Sequence, residues 1–279
     1  MIRSTAILLS AVVILAPGPA GAASATITGL KSHRAVYDLK LAKRTDKSEI
    51  GGVTGRLVYE FVGSVCDGFA TQFRLVTRLE NTDGKSRVTD MRTSSFEDAD
   101  GKLFDFLSQN FIEQTMTDES KGSAKRTEAG AVASIVRPAE RKVSLPAEAR
   151  FPTQHMADLI DAAKAGKSFD QIRLYDGSDG GERVYDTAAV IGKPIEGPAE
   201  GDEEKVADRP ELAAVKRWPM TISYFDPAKR EKGEDTPEYQ LSFQLYENGI
   251  SRRLRLDYGD FALDGRMTEL TFIDVKPCN

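Results

Sequence analysis

The sequence predicts a single, mainly β domain in which a long antiparallel sheet rolls up and packs on one or two helices. Three observations predict it. Most of the chain alternates apolar and polar residues with a period of two, as in strands with one face on a core. Gly-containing turn pairs stand where the alternation stops. The spacing of about 10 to 18 residues per strand and turn favours a meander over βαβ units. Such a meander must curl to protect its edges and bury its apolar face.

The first half of the chain carries three clear alternating segments, at residues 34–41, 57–62 and 69–79. In the first, Ala35 and Tyr37 lie on one face of the predicted strand and charged residues lie on the other. The three segments therefore predict neighbouring strands with one buried and one solvated face.

The C-terminal part repeats the pattern at 239–245 and 253–258. Asn-Gly and Asp-Gly pairs supply the positive φ angles of tight hairpins. The predicted turns are Asp83-Gly84, Asp100-Gly101, Asn248-Gly249 and Asp264-Gly265. We find no internal repeat.

The middle of the chain predicts one amphipathic helix over 154–165. Thr153 is the predicted N-cap, and Gly166 is the predicted stop. An apolar stripe at helical spacing would pack on the sheet. Its members are Met156, Leu159, Ile160 and Ala163. A shorter second helix is predicted around 208–215.

Residues 1–25 read as a cleavable export signal, which leaves 26–279 as the domain. Arg3 precedes an apolar run at 6–16, and small residues follow for the signal peptidase. The alternative is a membrane anchor, but a span needs about 20 apolar residues. No cysteine lies near the cleavage site, so a lipoprotein anchor is not expected. We predict a periplasmic protein.

Charge and hydropathy narrow the class of protein. Removal of Arg3 with the signal takes the net charge of −5 to −6, with both signs interspersed, so nucleic-acid binding is not expected. No later segment is apolar enough to span a membrane. The stretch at 192–211, rich in Pro, Gly and Glu, is interpreted as a solvated acidic loop.

Cys66 and Cys278 are the two cysteines of the chain. In an oxidising compartment the simplest interpretation is one structural disulfide between them. It would stabilise the fold by at most about 5 kcal/mol in the chain-entropy model. The alternative is a redox or nucleophilic thiol, but neither cysteine has a CxxC partner or a local base.

The two histidines are the first candidates for a catalytic or metal site. His33 opens the first predicted strand, and His155 begins the predicted helix. Zinc usually takes three or four His, Cys or acidic ligands, so a zinc site is not expected if both cysteines are bonded. The chain lacks a Gly-x-Ser-x-Gly motif, which leaves a Ser-His-Asp hydrolase as a minor alternative.

Other motifs favour structure over chemistry. Trp218 is interpreted as a core residue, and the acidic stretches at 98–101 and 176–181 as tight turns rather than calcium loops. In the basic run at 252–255, Arg253 and Arg255 share one strand face and Arg252 points to the other; the shared face is interpreted as solvated, with acidic cross-strand partners. Contact with anionic lipid headgroups is the alternative. We predict no catalytic residue, no metal site and no cofactor.

Taken together, several segments resemble the EipB family of periplasmic envelope integrity proteins. Each is weak alone, but their order and the cysteine placement are specific and extend over nearly all of the mature chain. They are residues 33–39, 55–61, 65–69, 218–220 and 247–250, with Cys278 at the end.

This resemblance implies an open β-spiral similar to periplasmic lipoprotein carriers, with a helix packed in its concave face, and a disulfide between Cys66 and Cys278. It implies a role in maintaining the Gram-negative envelope, with no enzymatic activity. We expect the protein to bind a protein partner, such as a tetratricopeptide-repeat protein, or a lipid-like ligand. A lipid or lipoprotein carrier and, less favoured, an envelope hydrolase are the alternatives.

Overall fold

The computed structural model describes residues 27–128, 130–198, 204–229, 236–276 and 278, so the predicted export signal at 1–25 lies outside the described residues. The described strands form one antiparallel sheet of 14 strands. The strands are β1 (His33–Arg44), β2 (Ile50–Ser64), β3 (Gly68–Asn81), β4 (Ser86–Glu97), β5 (Leu103–Ile112), β6 (Thr115–Thr127), β7 (Gly130–Arg137), β8 (Arg141–Leu145), β9 (Phe169–Leu174), β10 (Tyr185–Ile191), β11 (Arg217–Phe225), β12 (Tyr239–Tyr246), β13 (Ser251–Asp257) and β14 (Phe261–Phe272). The helices are α1 (Pro152–Lys164) and α2 (Pro210–Ala213).

The chain starts in the middle of this sheet and fills it outward on both sides. Strands β1 to β8 form one uninterrupted meander, and β9 to β14 form a second. The last strand, β14, returns to pair with β1 and joins the two meanders. The two edge strands, β8 and β9, are therefore consecutive in sequence, and α1 lies in the connection between them.

The sheet curls around α1, which defines an inner and an outer face. Both meanders supply inner-face residues to the core around the helix, among them Phe61 of β2 and Trp218 of β11. Leu159, Ile160 and Ala163 of the predicted stripe are buried there. A mainly β, open, barrel-like sheet with a helix in its concave face is thus confirmed.

The edge strands β8 and β9 do not pair with each other, and we call this gap the seam. One parallel bridge crosses it, in which the N–H of Arg150 donates to the Arg173 carbonyl at 2.7 Å. The N–H of Tyr175 donates to the Arg150 carbonyl at 2.9 Å. Stacked and edge-on aromatic rings, including Phe104, Phe151 and Tyr175, fill the space behind the bridge.

A second gap, which we call the split, lies between β13 and β14. These strands pair only from Leu254 to Asp257 on β13, so the distal half of β14 lacks a strand on that side. Residues 204–215, which include α2, occupy the space and form what we call the wedge. Its Leu212 is buried against the inner core, and Arg209 donates from Nη1 to the Leu270 carbonyl at 2.9 Å.

Three local predictions were wrong. Asp264-Gly265 is not a turn but the middle of β14, where a Cβ on Gly265 would stand 2.7 Å from Leu39 Cδ2. Glycine is there for close packing. The hairpin turn lies instead around Gly259, which has a φ of +83°.

Thr153 is not the N-cap of α1, because the helix already begins at Pro152 and Phe151 takes that position. The predicted stop at Gly166 agrees with the structure. Gly166 has a φ of +74°, and the N–H groups of Gly166 and Lys167 donate to the carbonyls of Ala163 and Ala162. This is the Schellman pattern of a helix that ends at a glycine.

The stretch at 192–211 is not simply a solvated loop. Ile195 forms a bridge with Arg217, and Glu204 is 2% exposed. The run at 252–255 has its two faces as expected, with Arg252 on the face opposite Arg255. Arg255 has the expected acidic cross-strand partner, whereas Arg252 is 1% exposed. No helix among the described residues has the length and apolar character needed to cross a membrane.

Candidate functional site

Part of the inner face reaches solvent, and we call this part the inner hollow. Apolar side chains there pack against the core clusters but are only partly buried. They are Tyr59, Phe73, Met91, Tyr239, Leu241, Phe243 and Leu256. Inward-facing side chains would be fully buried if the roll were filled, so their partial exposure indicates an accessible concave surface. They come from β2, β3 and β4 on one wall and from β12 and β13 on the other.

Aromatic rings continue the inner hollow to the end of the sheet opposite the disulfide. Tyr185, Tyr224, Tyr239, Tyr258 and Phe261 form a continuous row from β10 to β14. Tyr224 stacks on Tyr239 at 4.4 Å between ring centroids, and Tyr258 stacks on Phe261 at 5.1 Å. Cross-strand aromatic pairs of this kind stabilise a sheet and give a rigid apolar surface.

The hydroxyls of this row are a source of polarity within an apolar wall. Burial raises the pKa of both Tyr224 and Tyr239 above the usual value for tyrosine. No protein partner for either hydroxyl lies within hydrogen-bond distance in the described ranges. These hydroxyls remain neutral at physiological pH and can donate to a ligand.

A charged cluster lies at the rim beside this row. Arg183 Nη1 lies 3.0 Å from Asp179 and 2.8 Å from Glu238, and its guanidinium lies 5.4 Å from the Tyr185 ring centroid. Nearby, burial raises the pKa of the Asp176 carboxyl. The rim is thus polar and the wall apolar, an arrangement that suits an amphipathic ligand.

His33 and His155, the candidates from the sequence, are buried and form hydrogen bonds with other residues of the fold. His155 Nε2 lies 3.0 Å from Thr187 Oγ1, and that hydroxyl donates to the Ile172 carbonyl at 2.7 Å. The histidine must therefore be the donor. Burial lowers its pKa to about 4, which keeps the ring neutral. His33 Nδ1 contacts the Lys31 carbonyl at 2.7 Å and burial lowers its pKa too.

The described residues contain no cluster of three or more His, Cys, Asp or Glu arranged to hold a metal ion. The structure does not bring His33 and His155 together, since each is committed to a separate contact. Trp218 lies in the inner core, as the sequence predicted. The pair Cys66 and Cys278 is present as a disulfide, with 5.9 Å between the Cα atoms.

Two buried carboxylates, Glu97 and Glu204, bind the segments that fill the seam and the split, and the sequence analysis did not identify either of them. Glu97 of β4 accepts from the N–H groups of Thr153 at 2.7 Å and Gln154 at 3.2 Å, at the start of α1. Burial raises its pKa to about 7, against the effect of these hydrogen bonds. Glu97 therefore accepts from the first N–H groups of α1 as an N-cap side chain would, although it lies on the distant strand β4.

In the split, Glu204 likewise accepts hydrogen bonds from two backbone N–H groups. Its Oε1 accepts from the N–H of Arg253 at 3.1 Å and of Met267 at 2.8 Å, and Oε2 lies 2.9 Å from Arg252 Nε. Burial raises the pKa of the Glu204 carboxyl and lowers that of Arg252 to about 10. No sequence motif marks either glutamate.

The outer face carries a second concave feature, a groove of about 730 Å³ over β10 to β14, which we call the outer groove. Val190 and Pro219 line one end, and Arg255 and Arg266 line the other. Gly192 also lines the groove. Further along the same segment, the carbonyls of Gly197 and Pro198 accept from the Arg217 guanidinium.

The chain is similar to known proteins over nearly its whole length. The family model described as EipB-like matches residues 24–274. The cell envelope integrity protein EipB of Brucella abortus (strain 2308) is 42% identical over 274 residues, which cover 98% of this chain and 95% of the relative.

A crystal structure from Brucella abortus shares the fold as well. It is a β-barrel-like protein of a domain of unknown function, DUF1849, with a TM-score of 0.81 and 42% sequence identity. The match covers 88% of this chain and 99% of the crystallised chain.

Proposed function

This chain belongs to the EipB-like family, and on that premise we propose that it supports the integrity of a Gram-negative cell envelope from the periplasm. The name of the Brucella relative, a cell envelope integrity protein, supports the proposal, and so does the disulfide, a bond typical of oxidising compartments. The protein acts by binding rather than by catalysis.

Export to the periplasm is part of the same proposal. Residues 1–25 act as the cleaved signal, and 26–279 form the working domain. Intact-mass measurement of protein released from the periplasm should give a chain that begins near residue 26. A full-length chain that stays in the membrane fraction would favour the anchor alternative.

The observation that carries the binding proposal is the inner hollow. Partly exposed apolar side chains, such as Leu241 on one wall and Met91 on the other, pack against the core clusters inside the roll. Exposed apolar surface that is concave and edged with polar groups is typical of ligand sites. The ligand is lipid-like, with its apolar part on this surface and its polar end at the rim near Arg183.

A fluorescent fatty acid, dansyl-undecanoic acid, tests this proposal together with mass spectrometry of lipids co-purified with the protein. We expect saturable binding and a loss of about tenfold in affinity for Leu241→Asp, which places a charge in the apolar wall. The control Val132→Asp makes the same change at an exposed outer position. Lipid-free protein that does not bind the probe would end the carrier interpretation.

A second candidate function is docking of another periplasmic protein. The outer groove favours it, because the groove is an open concave surface on the face away from α1. Both functions would serve the envelope, and they use opposite faces of the sheet.

A further inference from the structure

We propose that the end of the inner hollow lined by Asp176, Tyr224 and Tyr239 binds a primary ammonium group at the polar end of a lipid-like ligand. We call these three side chains the ammonium site. This rests on the proposed function, because it names the chemistry of the polar end of the same ligand. The apolar wall and the ammonium site can nevertheless fail separately in one experiment.

Asp176 offers a carboxylate that no cation of the described residues neutralises. It stands two residues beyond β9, and its Oδ1 accepts from the N–H of Ser178 at 3.0 Å. In the described ranges, no Lys, Arg or His lies within salt-bridge distance of it. Burial raises the pKa of this carboxyl, because its charge is poorly solvated. A ligand cation would supply the missing partner.

Two tyrosine hydroxyls near Asp176 are free to bond to a ligand. Tyr224 is 8% exposed and Tyr239 is half-buried, and neither hydroxyl has a partner among the described residues. Both still reach solvent, unlike the Tyr246 hydroxyl, which is enclosed without a partner. Burial raises the pKa of both tyrosines, and the charge of Asp176 adds to the effect, so its carboxylate is close to both hydroxyls. One carboxylate and two hydroxyl oxygens can accept from the three N–H donors of a primary ammonium.

The neighbouring rim disfavours an anionic group on the ligand. Arg183 already pairs with three carboxylates, which belong to Asp179 at 3.0 Å, Asp226 at 3.4 Å and Glu238 at 2.8 Å. Lys229 pairs with Glu238 as well. With Asp176 there are four carboxylates to these two cations, so the local potential favours a positive group.

The arrangement suits a primary ammonium better than a metal ion or a quaternary ammonium. The described residues contain no group of three or more His, Cys, Asp or Glu that could hold a metal ion. A quaternary ammonium binds on open aromatic faces. Here Tyr224 stacks on Tyr239 at 4.4 Å, and Tyr185 stands edge-on to both, at 86° and 77°. Packing between the rings therefore leaves the hydroxyls, rather than the ring faces, for the ligand.

The loop that carries Asp176 is fixed by contacts within the protein. Ser120 Oγ donates to the Gly177 carbonyl at 2.8 Å, and the Tyr175 hydroxyl donates to the Gly181 carbonyl at 2.7 Å. Both hydrogen bonds are buried. A carboxylate on a fixed loop binds a ligand without the cost of ordering that loop.

The apolar part of the ligand has a surface to follow from this site. Tyr239 and Leu241 both pack against the inner core from β12, and positions two residues apart on a strand are separated by about 7 Å. An ammonium at Tyr239 therefore places an attached alkyl chain on the apolar wall at Leu241.

Displacement of a neutral dye from the mature protein tests the proposal. N-phenyl-1-naphthylamine reports on the apolar wall without a charge of its own. Decylamine, decanoic acid and decanol, which differ only in the polar end, are used to displace it at neutral pH. We expect decylamine to act at about tenfold lower concentration than the other two. Decyltrimethylammonium has the charge but no N–H donor, and it should be about tenfold weaker than decylamine.

Matched variants locate the preference, which is measured as the ratio of the displacing concentrations of decanol and decylamine. Asp176→Asn keeps an acceptor for the Ser178 N–H and removes the charge, so it should lower this ratio from about ten toward one. Tyr224→Phe keeps the stacked ring and should lower the ratio as well. The control Asp105→Asn, at an exposed position on β5, should keep it. If Asp176→Asn does not fold, as judged by circular dichroism, Tyr224→Phe and Tyr239→Phe replace it.

The possible results separate the two proposals. Equal displacement by decylamine, decanoic acid and decanol would overturn the ammonium site and leave the proposed function standing. An unchanged ratio in the site variants would also overturn it, because the preference would then arise elsewhere. Equal displacement by decylamine and decyltrimethylammonium would mean that the charge alone is recognised and that the primary ammonium is wrong. A dye that does not bind would contradict the inner hollow itself, and the ammonium site with it.

A further pair of ligands distinguishes the sources of the ammonium. Lysophosphatidylethanolamine and lysophosphatidylglycerol with the same acyl chain differ in the presence of the amine. Stronger displacement by the ethanolamine lipid would assign the site to a phospholipid headgroup. Equal displacement by the two lipids, with decylamine still favoured over decanol, would assign it to an amine that carries no phosphate.

Discussion

The seam and the split are two interruptions of the same sheet, and they are held in related ways. At the seam, α1 crosses between the edge strands and is tied down by Glu97. At the split, the wedge fills the missing strand positions and is tied down by Glu204. In each gap one buried carboxylate accepts from two backbone N–H groups.

The two gaps differ in whether a cation pairs with the buried carboxylate. Glu204 is paired with the buried Arg252 at 2.9 Å, whereas among the described residues no cation lies within salt-bridge distance of Glu97. The Glu97 carboxylate is held by the N-terminal N–H groups of α1 and the helix dipole, and it also interacts electrostatically with Arg126 without forming a salt bridge. We therefore expect a full ion pair to fix the split, and we expect the contribution of Glu97 to the stability of the seam to depend on pH.

The largest effect is expected from Glu204→Ala. It leaves the Arg252 guanidinium buried without its carboxylate and the N–H groups of Arg253 and Met267 without an acceptor. Loss of one partner of a buried pair costs about 3–5 kcal/mol. Urea denaturation measures the loss, with Glu211→Ala on the exposed side of the wedge as the control. Equal midpoints for the two variants would contradict the role of Glu204.

Cys66→Ser should come next, and it acts on the split side of the molecule. The disulfide closes a loop with a sequence separation of 212 and ties the chain beyond β14 to the turn between β2 and β3. We expect a loss of about 2–4 kcal/mol, below the chain-entropy limit of about 5 kcal/mol. Thermal melting with and without reductant measures it. A variant that melts at the temperature of the oxidised protein would refute the structural role.

Glu97→Gln tests the seam directly. A glutamine can accept at one oxygen, but its NH₂ group would face a helix N–H that it cannot bond. We expect a loss of about 1–3 kcal/mol and faster hydrogen exchange at the amides of Thr153 and Gln154. Asp105→Asn, at an exposed position on β5, is the control. Unchanged exchange at both amides would show that α1 does not depend on Glu97.

The pH dependence of the seam involves two opposed groups. The pKa of Glu97 is raised from 4.5 to about 7, so acidification from pH 7 to 5 stabilises the fold through this residue. The pKa of His155 is lowered from 6.5 to about 4, so the same change destabilises it, because only the unfolded chain takes up the proton. Each contribution is about 2 kcal/mol, and they nearly cancel.

Single variants should reveal the two contributions. On acidification from pH 7 to 5, His155→Gln should gain stability relative to the unmodified protein, and Glu97→Gln should lose it, by about 2 kcal/mol each. Urea denaturation at the two pH values measures both. If His155→Gln instead lost stability between pH 7 and 5, the assignment of the two groups would be wrong.

The smallest effect is expected at the surface of the seam. Arg150 pairs with Asp158 at 2.7 Å, but both side chains are substantially exposed, at 45% and 31%. Arg150→Ala keeps the backbone bridge to β9, so we expect a loss of no more than about 0.5 kcal/mol. Melting curves in low and high salt check this. A loss as large as that of Glu97→Gln would mean that the ion pair, not the carboxylate cap, closes the seam.

The sequence predicted regular elements well where the pattern is local. The alternation at 69–79 lies within β3, and the helix predicted over 154–165 is α1 with a boundary shift of two residues at its start. Asn248-Gly249 is a turn, with a φ of +87° at the glycine. The resemblance to the EipB family is also confirmed.

The wrong predictions at Asp264-Gly265 and at Thr153 have the same physical cause. Asp264-Gly265 is a residue pair typical of a turn, yet Gly265 packs against Leu39 of β1, which is far away in sequence. Thr153 is a residue type typical of an N-cap, yet the carboxylate that accepts from the first N–H groups of α1 belongs to Glu97, 56 residues earlier. In both cases tertiary contacts override a local preference.

By itself, the sequence determined the strand pattern, the antiparallel meander, the amphipathic helix and the expected pairing of the cysteines, since each depends on periodicity, turn residues or composition. Only the tertiary structure decided where the sheet is left open and what fills the gaps. Glu97 and Glu204 are ordinary glutamates in the sequence, and their partners lie between 48 and 63 residues away. A buried carboxylate is tolerated only where the fold supplies its hydrogen bonds, and those donors exist only once the strands and helix are assembled.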